Sequence, residues 1–319
     1  MALGIDPKVD YAFKRVFGDQ RNAHLLVHLL NAILDPEIPI VDVEILNPFN
    51  DKEFSEDKLT ILDVKARDQT GRLINIEMQL LLPHHFRSRI LYYWAGLYRQ
   101  QLSAGDEYNR LSPVISICLV NQEIFPGVDD FHLTFRLLES RHGVCFSEDM
   151  QLHVIEFPKF RRPVDKLKGP LEQWVYLLQH AEHLDPGALP KSLDDPVFDQ
   201  AMQEWDMFTQ NELERERYEM RLKAIRDQRS LLQDAIEEGL ERGRVEGFEE
   251  GREEGREVGR EEGREEGRKK GGLIGQIQLC ESLLGQDGSP DSELMELSID
   301  DLQRRAADLQ SELRGRQQS

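Results

Sequence analysis

Two runs of alternating residues, Leu59 to Arg67 and Leu73 to Leu81, flank the turn signal Asp68-Gln69-Thr70-Gly71, and this hairpin constrains the fold more than any other stretch. Successive strand residues point to opposite faces, so Leu62, Val64 and Ala66 align with Ile74, Ile76, Met78 and Leu80 on a wholly apolar side. The other side carries Asp63, Lys65 and Arg67 on one strand and Asn75, Glu77 and Gln79 on the next. A loop from Gln69 to Gly71, with Gly71 in the left-handed position of a bulge, pairs Asp68 with Arg72 and sets Asp63 opposite Glu77. Directly opposed residues have Cβ atoms ~4.5 to 5.5 Å apart. Two carboxylates at that separation repel unless something positive lies between them. A hard divalent cation taking oxygen ligands, such as Mg²⁺, suits the place, with the Met78 carbonyl as a third ligand. The same pattern also describes a solvated outer face in which Lys65 or Arg67 partners Asp63, and carboxylates ~5 Å apart also describe a retaining glycosidase, although nothing else suggests a sugar cleft.

Around the hairpin, spacing predicts helices over Tyr11 to Phe17 and Arg21 to Leu34, the second ended by Asp35-Pro36, and a strand over Val41 to Leu46. From His84 to Leu102, Phe86, Ile90, Trp94, Leu97 and Gln101 share one helical face. Strands are predicted at Val114 to Val120, Phe131 to Leu137 and Leu152 to Phe157. The order is helix, three strands, helix, strand, an α/β fold.

Composition changes after Pro196. Phe198 to Leu240 reads as a long charged helix anchored by Met202, Trp205, Leu222, Ile225, Leu232 and Ile236. Glycine then recurs every four residues from Gly239 to Gly271 with Glu and Arg between. Each glycine costs ~1 kcal/mol of helix relative to alanine, whereas an i,i+3 Glu–Arg pair returns ~0.2 to 0.5 kcal/mol. The segment is therefore either a helix that needs a close partner on its bare stripe or a flexible linker. The expected organisation is residues 1–195 as the α/β domain, 196–238 as the charged helix, 239–272 as the repeat and 273–319 as a small helical end.

The string Leu62-Asp63-Val64-Lys65, then Asp68, Gly71 and Ile76-Glu77-Met78-Gln79, resembles the PD-(D/E)XK nuclease superfamily, and within it the Rpn branch of recombination-promoting nucleases and transposases. Asp10-Tyr11-Ala12-Phe13-Lys14 with Phe17, Leu30-Asn31-Ala32-Ile33-Leu34, and the stretch from Arg89 to Tyr98 are similar to that family too, as are the Glu/Arg/Gly repeat and the Leu-Leu-Gly tail. The likeness covers Asp6 to about Leu178. It implies a PD-(D/E)XK nuclease-like core with Asp63 and Glu77 as metal ligands, and a Mg²⁺-dependent DNA endonuclease that promotes recombination, with Mn²⁺ as a substitute ion. Where the superfamily has lysine this chain has Gln79, as is usual in the Rpn branch; glutamine orients water but brings no charge, which Lys65 on the same face could supply. Asp10 is a further candidate ligand, and Lys14, Arg87 and Arg89 are candidate phosphate contacts. The competing reading is a catalytically weak protein of the same fold that binds DNA or acts as an oligomeric scaffold.

A formal charge of −20 argues against nucleic acid as a partner, but Lys58 to Arg110 holds eight basic residues against five acidic ones. Only three cysteines occur, without short spacing, and no apolar run approaches the ~18 residues of a membrane span. The first ten residues lack a signal peptide's basic and apolar regions, so a cytoplasmic home without a membrane is expected. Phosphate-binding G-x-x-x-x-G-K-[ST], zinc-binding H-E-x-x-H and the G-x-S-x-G elbow are missing. The C-terminal helices are the candidate surface for homo-oligomers.

Overall fold

A computed structural model describes residues 2–47, 64–82 and 85–317. Asp63, Leu62 and the expected strand positions before them lie outside the described residues, as does His84. Among the described residues, six strands form one sheet in the order β1-β2-β3-β4-β6-β5, where β1 is Val43–Ile45, β2 Val64–Asp68, β3 Leu73–Gln79, β4 Val114–Val120, β5 His132–Leu138 and β6 Cys145–Glu156. Strands β3, β4 and β6 run parallel, while β1, β2 and β5 pair antiparallel at the two edges. The parallel centre is buried on both faces, which is why β4 reads as an apolar run interrupted only by Ser116, Val-Ile-Ser-Ile-Cys-Leu-Val.

One face of the sheet carries Val64, Ala66, Ile74, Ile76, Ile115, Ile117 and Ile155, and it packs with α1 (Asp10–Phe17), α2 (Ala23–Leu34), α4 (Gly169–His180) and α5 (Pro196–Gln210) into the main core. The apolar i, i+3, i+4 spacing of Leu25, Leu26, Leu29, Leu30 and Ile33 points α2 inward, and Asp35 ends it in the left-handed conformation, φ 42°. The opposite face is covered by α3 (Phe86–Arg99). Phe86 and Ile90 seat on Cys118, Val120 and Val154, and the Trp94 indole N–H donates to the Val114 carbonyl at 2.9 Å. Gln101, just past α3, exchanges two hydrogen bonds of 2.9 Å with the backbone of Ser112, so the predicted helix face is the one used.

Three expectations change. The first compact unit runs from Met1 to Leu231, well past residue 195, because α5 is core: Phe198, Ala201, Met202 and Trp205 are fully buried, and the Trp205 indole donates to the Ala12 carbonyl at 3.2 Å. The long charged helix is two helices broken at Asn211, α5 and α6 (Glu212–Leu284). Strand β6 begins seven residues earlier than Leu152, at Cys145, since its first half pairs with β5 in an exposed ribbon that needs no apolar alternation. Helix α4 was not legible in the spacing.

Within the second unit, Leu232–Ser319, the glycine repeat lies inside the continuous α6. There Ile274 and Ile277 of α6 pack with Leu294 of α7 (Asp291–Glu296) and with Leu302 and Ala306 of α8 (Ile299–Gln317). Among the described residues no helix is long and apolar enough to cross a membrane.

Candidate metal centre on the covered sheet face

The hairpin is built as its turn residues demand. Gly71 sits at φ +90°, where an L side chain is strained, and the Asp68 carboxylate fastens the loop by accepting from the Thr70 amide at 2.9 Å, the Thr70 hydroxyl at 2.7 Å and the Arg72 amide at 3.0 Å. Arg72 closes the other oxygen through its Nε at 2.6 Å. Asp68 is thus a structural residue of the turn. The resulting register pairs Val64 with Ile76, Lys65 with Asn75 and Arg67 with Leu73.

Alternation then places Glu77, Asn75 and Lys65 on one face, beside Ser116 and Cys118 of β4, which stand opposite Asn75 and Glu77 in the parallel pairing. That face is not solvated. Glu77 is 2% exposed and Asn75 3%, because α3 lies over them. From α3, the Arg89 guanidinium reaches to 3.8 Å from Glu77 Oε2 and also rests over the Tyr93 ring at 5.6 Å. Asn75 donates through Nδ2 to Glu77 Oε1 at 3.2 Å. This orientation leaves Asn75 Oδ1 buried without a hydrogen-bond partner. Burial foremost, and the Glu77 charge next, push the Cys118 thiol well above its ordinary range, with Arg89 pulling the other way; Cys118 is an inert thiol here.

The remaining candidates are dispersed. Gln79 ends β3 half-buried, its carbonyl taken by the Asn121 amide at 3.0 Å. Met78 is buried and in register with Leu119. Lys65 is half-buried next to Asn75. Asp10 lies on α1 with its carboxylate bound to Arg221 of α6, Nε to Oδ1 at 2.7 Å, and a second contact from the other guanidinium nitrogen. That pairing, across 211 residues of sequence, occupies Asp10 as the partner of a helix rather than as an open ligand. Lys14 is turned inward, 4% exposed, which takes it away from a phosphate approaching through solvent. Arg87 donates to the Ile124 carbonyl at 2.7 Å and stacks over Phe125 at 4.5 Å.

The donor set at Glu77 is oxygen, with a carboxylate and a spare amide oxygen, and oxygen donors fit a hard divalent cation. Among the described residues no three His, Cys, Asp or Glu side chains gather as a ligand cluster. Sequence reasoning passed over Arg89 as a partner of Glu77. The residue was visible as a basic position one turn into α3, but which strand residue it meets depends on how α3 crosses the sheet. Asn75 was visible, two positions before Glu77 on the same strand face.

No curated protein and no solved structure matches the chain. A family model described as PD-(D/E)XK nuclease family transposase matches residues 7–235, a span that ends close to the end of the first compact unit and includes the hairpin, α3 and β4. The chain belongs to the PD-(D/E)XK nuclease family transposases.

Proposed function

We propose that the chain is a Mg²⁺-dependent DNA endonuclease whose metal is held by Asp63 and Glu77 with the Met78 carbonyl, Mn²⁺ serving in its place. The observation that carries this reading is the register of the hairpin. Val64 pairs with Ile76, which is the register the turn was expected to impose and under which Asp63, outside the described residues, is expected opposite Glu77 on the polar face. Bound there, the ion supplies Lewis acidity toward a phosphodiester and lowers the pKa of a bound water. The chain's own groups do the rest. Gln79 orients the attacking water, Lys65 brings the positive charge that glutamine lacks, and Arg89 holds Glu77 in place from above. DNA is the substrate, recombination the setting and the cytoplasm the location.

The contact between Arg89 and Glu77 favours a second reading, a DNA-binding scaffold in which an arginine rather than a metal balances the carboxylate. Conversion of supercoiled plasmid to nicked circle by the purified protein separates the two: cleavage in Mg²⁺ that EDTA stops supports the nuclease. Plasmid binding without cleavage in either Mg²⁺ or Mn²⁺ supports the scaffold.

The extension reads as a dimerisation helix. Over residues 251–268 each glycine is followed by arginine and, except at Val258, preceded by glutamate, so the bare stripe is flanked by an Arg row on one side and a Glu row on the other. Pairing two such stripes in parallel about a two-fold axis sets each Arg row against the partner's Glu row. Antiparallel pairing sets Arg against Arg and Glu against Glu. Charge therefore selects a parallel homodimer, and a repeat longer than 3.6 residues winds it right-handed.

A further inference from the structure

On the sheet face opposite Glu77, a cleft of about 600 Å³ opens between the β5–β6 ribbon, the end of α2 and the start of α4. Its lining includes His132, Thr134 and Arg136 of β5, His153 of β6, and Lys168 and Gly169 at the entry to α4. Asp35 is its single acidic side chain. Basic character is thus concentrated here in a chain of net charge −20. His28, also in the lining, is engaged elsewhere, accepting from the Trp174 indole at 2.8 Å and lying 3.6 Å from Asp195.

The imidazoles of His132 and His153 meet at 3.0 Å, Nε2 to Nδ1, with the Thr134 hydroxyl 3.4 Å from the same Nδ1. His153 is 4% exposed, and its Nε2 is buried with no hydrogen-bond partner. A buried polar nitrogen left unmatched costs free energy unless a ligand answers it. When His132 donates its Nε2–H to His153 Nδ1, the proton of His153 must sit on Nε2, which makes that orphan atom a donor. Burial, then the neighbouring His132 and Arg136, hold His153 far below its ordinary range, so it meets a ligand as a neutral imidazole, a donor at Nε2 in that tautomer. Donor nitrogen, guanidinium and ammonium call for an anion, while the amide of Lys168 before α4 already donates to Glu172 at 2.6 Å.

We propose that this cleft binds a small phosphorylated molecule, its phosphoryl oxygens taken by His153 Nε2, Arg136 and Lys168. The site is independent of the nuclease reading, since it shares no residue with the Glu77 face. A metal ion held by the two histidines is disfavoured by Arg136 and Lys168, although Arg136 also lies 3.8 Å from Glu148.

The test is a titration of the full chain with inorganic phosphate and, separately, adenosine 5′-monophosphate, read from the ring ¹⁵N shifts of the histidines, with Zn²⁺ as a third arm. Saturable movement of the His153 Nε2 resonance by phosphate is expected, weakened at least about tenfold in the doubly substituted Arg136→Gln, Lys168→Gln protein, whose changes lie at the rim and spare the fold. Tighter binding of the nucleotide assigns the phosphoryl group to a nucleotide; equal binding assigns it to the free oxyanion. Phosphate binding that leaves His153 unmoved, equal affinity in the double variant, no binding of either phosphate probe, or a response to Zn²⁺ alone overturns the proposal.

Discussion

Replacing Glu77 by glutamine keeps the side chain's shape and removes its charge, and the structure says what that does to stability before any catalysis is measured. Glu77 and Arg89 stand 3.8 Å apart, with 2% and 26% of their side chains exposed. At an effective dielectric of ~20 such a pair attracts by about 4 kcal/mol. Desolvation offsets much of this, and Arg89 retains some water, so Glu77→Gln should cost about 1 to 3 kcal/mol. Arg89→Met should cost more, about 3 kcal/mol, because the charge it deprives of a counter-ion is the more deeply buried one. The double variant should be less destabilised than the two losses added, by a coupling of about 1 to 3 kcal/mol. Urea unfolding in EDTA, followed by circular dichroism with a constant m-value, reads all three. A silent Glu77→Gln, or losses that add within about 0.5 kcal/mol, would show that Arg89 does not support the carboxylate.

A chain ending at residue 195 loses Phe198, Met202 and Trp205 from the core and should fail to fold cooperatively, whereas one ending near residue 235 should melt as a native domain; thermal unfolding of the two decides it. His153 is held down to about 4 in the folded protein, so the unfolded chain takes a proton that the native one refuses as pH falls from about 6.5 toward 4. Stability is full above that window and should drop by about 3 kcal/mol across it, and His153→Gln should flatten that drop in urea midpoints measured between pH 7 and 4. The space beside Gly251, Gly255 and Gly259 is open within the chain, so Leu there is tolerated by the helix itself and raises its propensity. The triple variant should show more helix but half the mass by light scattering; an unchanged mass would remove the parallel dimer.

Much of the hairpin could be read directly, because its information is local. Asp68 to Gly71 dictates the turn, the turn dictates the register, and alternation sorts Ile74 and Ile76 from Asn75 and Glu77. Strand β4 was equally plain, an apolar run bounded by Pro113. Whether the polar face meets water was not legible, since that depends on α3 crossing the sheet and carrying Arg89 to Glu77. The role of α5 was obscured by its outer face: Asp199, Glu204 and Asp206 make the segment look like a solvated extension while Phe198, Ala201, Met202 and Trp205 fill the core. Asp10 and Arg221 were unreadable as a pair because neither carries a pattern that names the other.

Asp63 and Glu77 are proposed to act as one metal site in DNA hydrolysis. Plasmid nicking in Mg²⁺ by wild type, Asp63→Asn, Glu77→Gln and the double variant, each verified as folded and freed of contaminating nuclease, tests it directly. Cleavage by wild type alone, with the double variant no worse than either single, is the expected result, because residues that act as a unit are not additive. Cleavage by Asp63→Asn at the wild-type rate would contradict it.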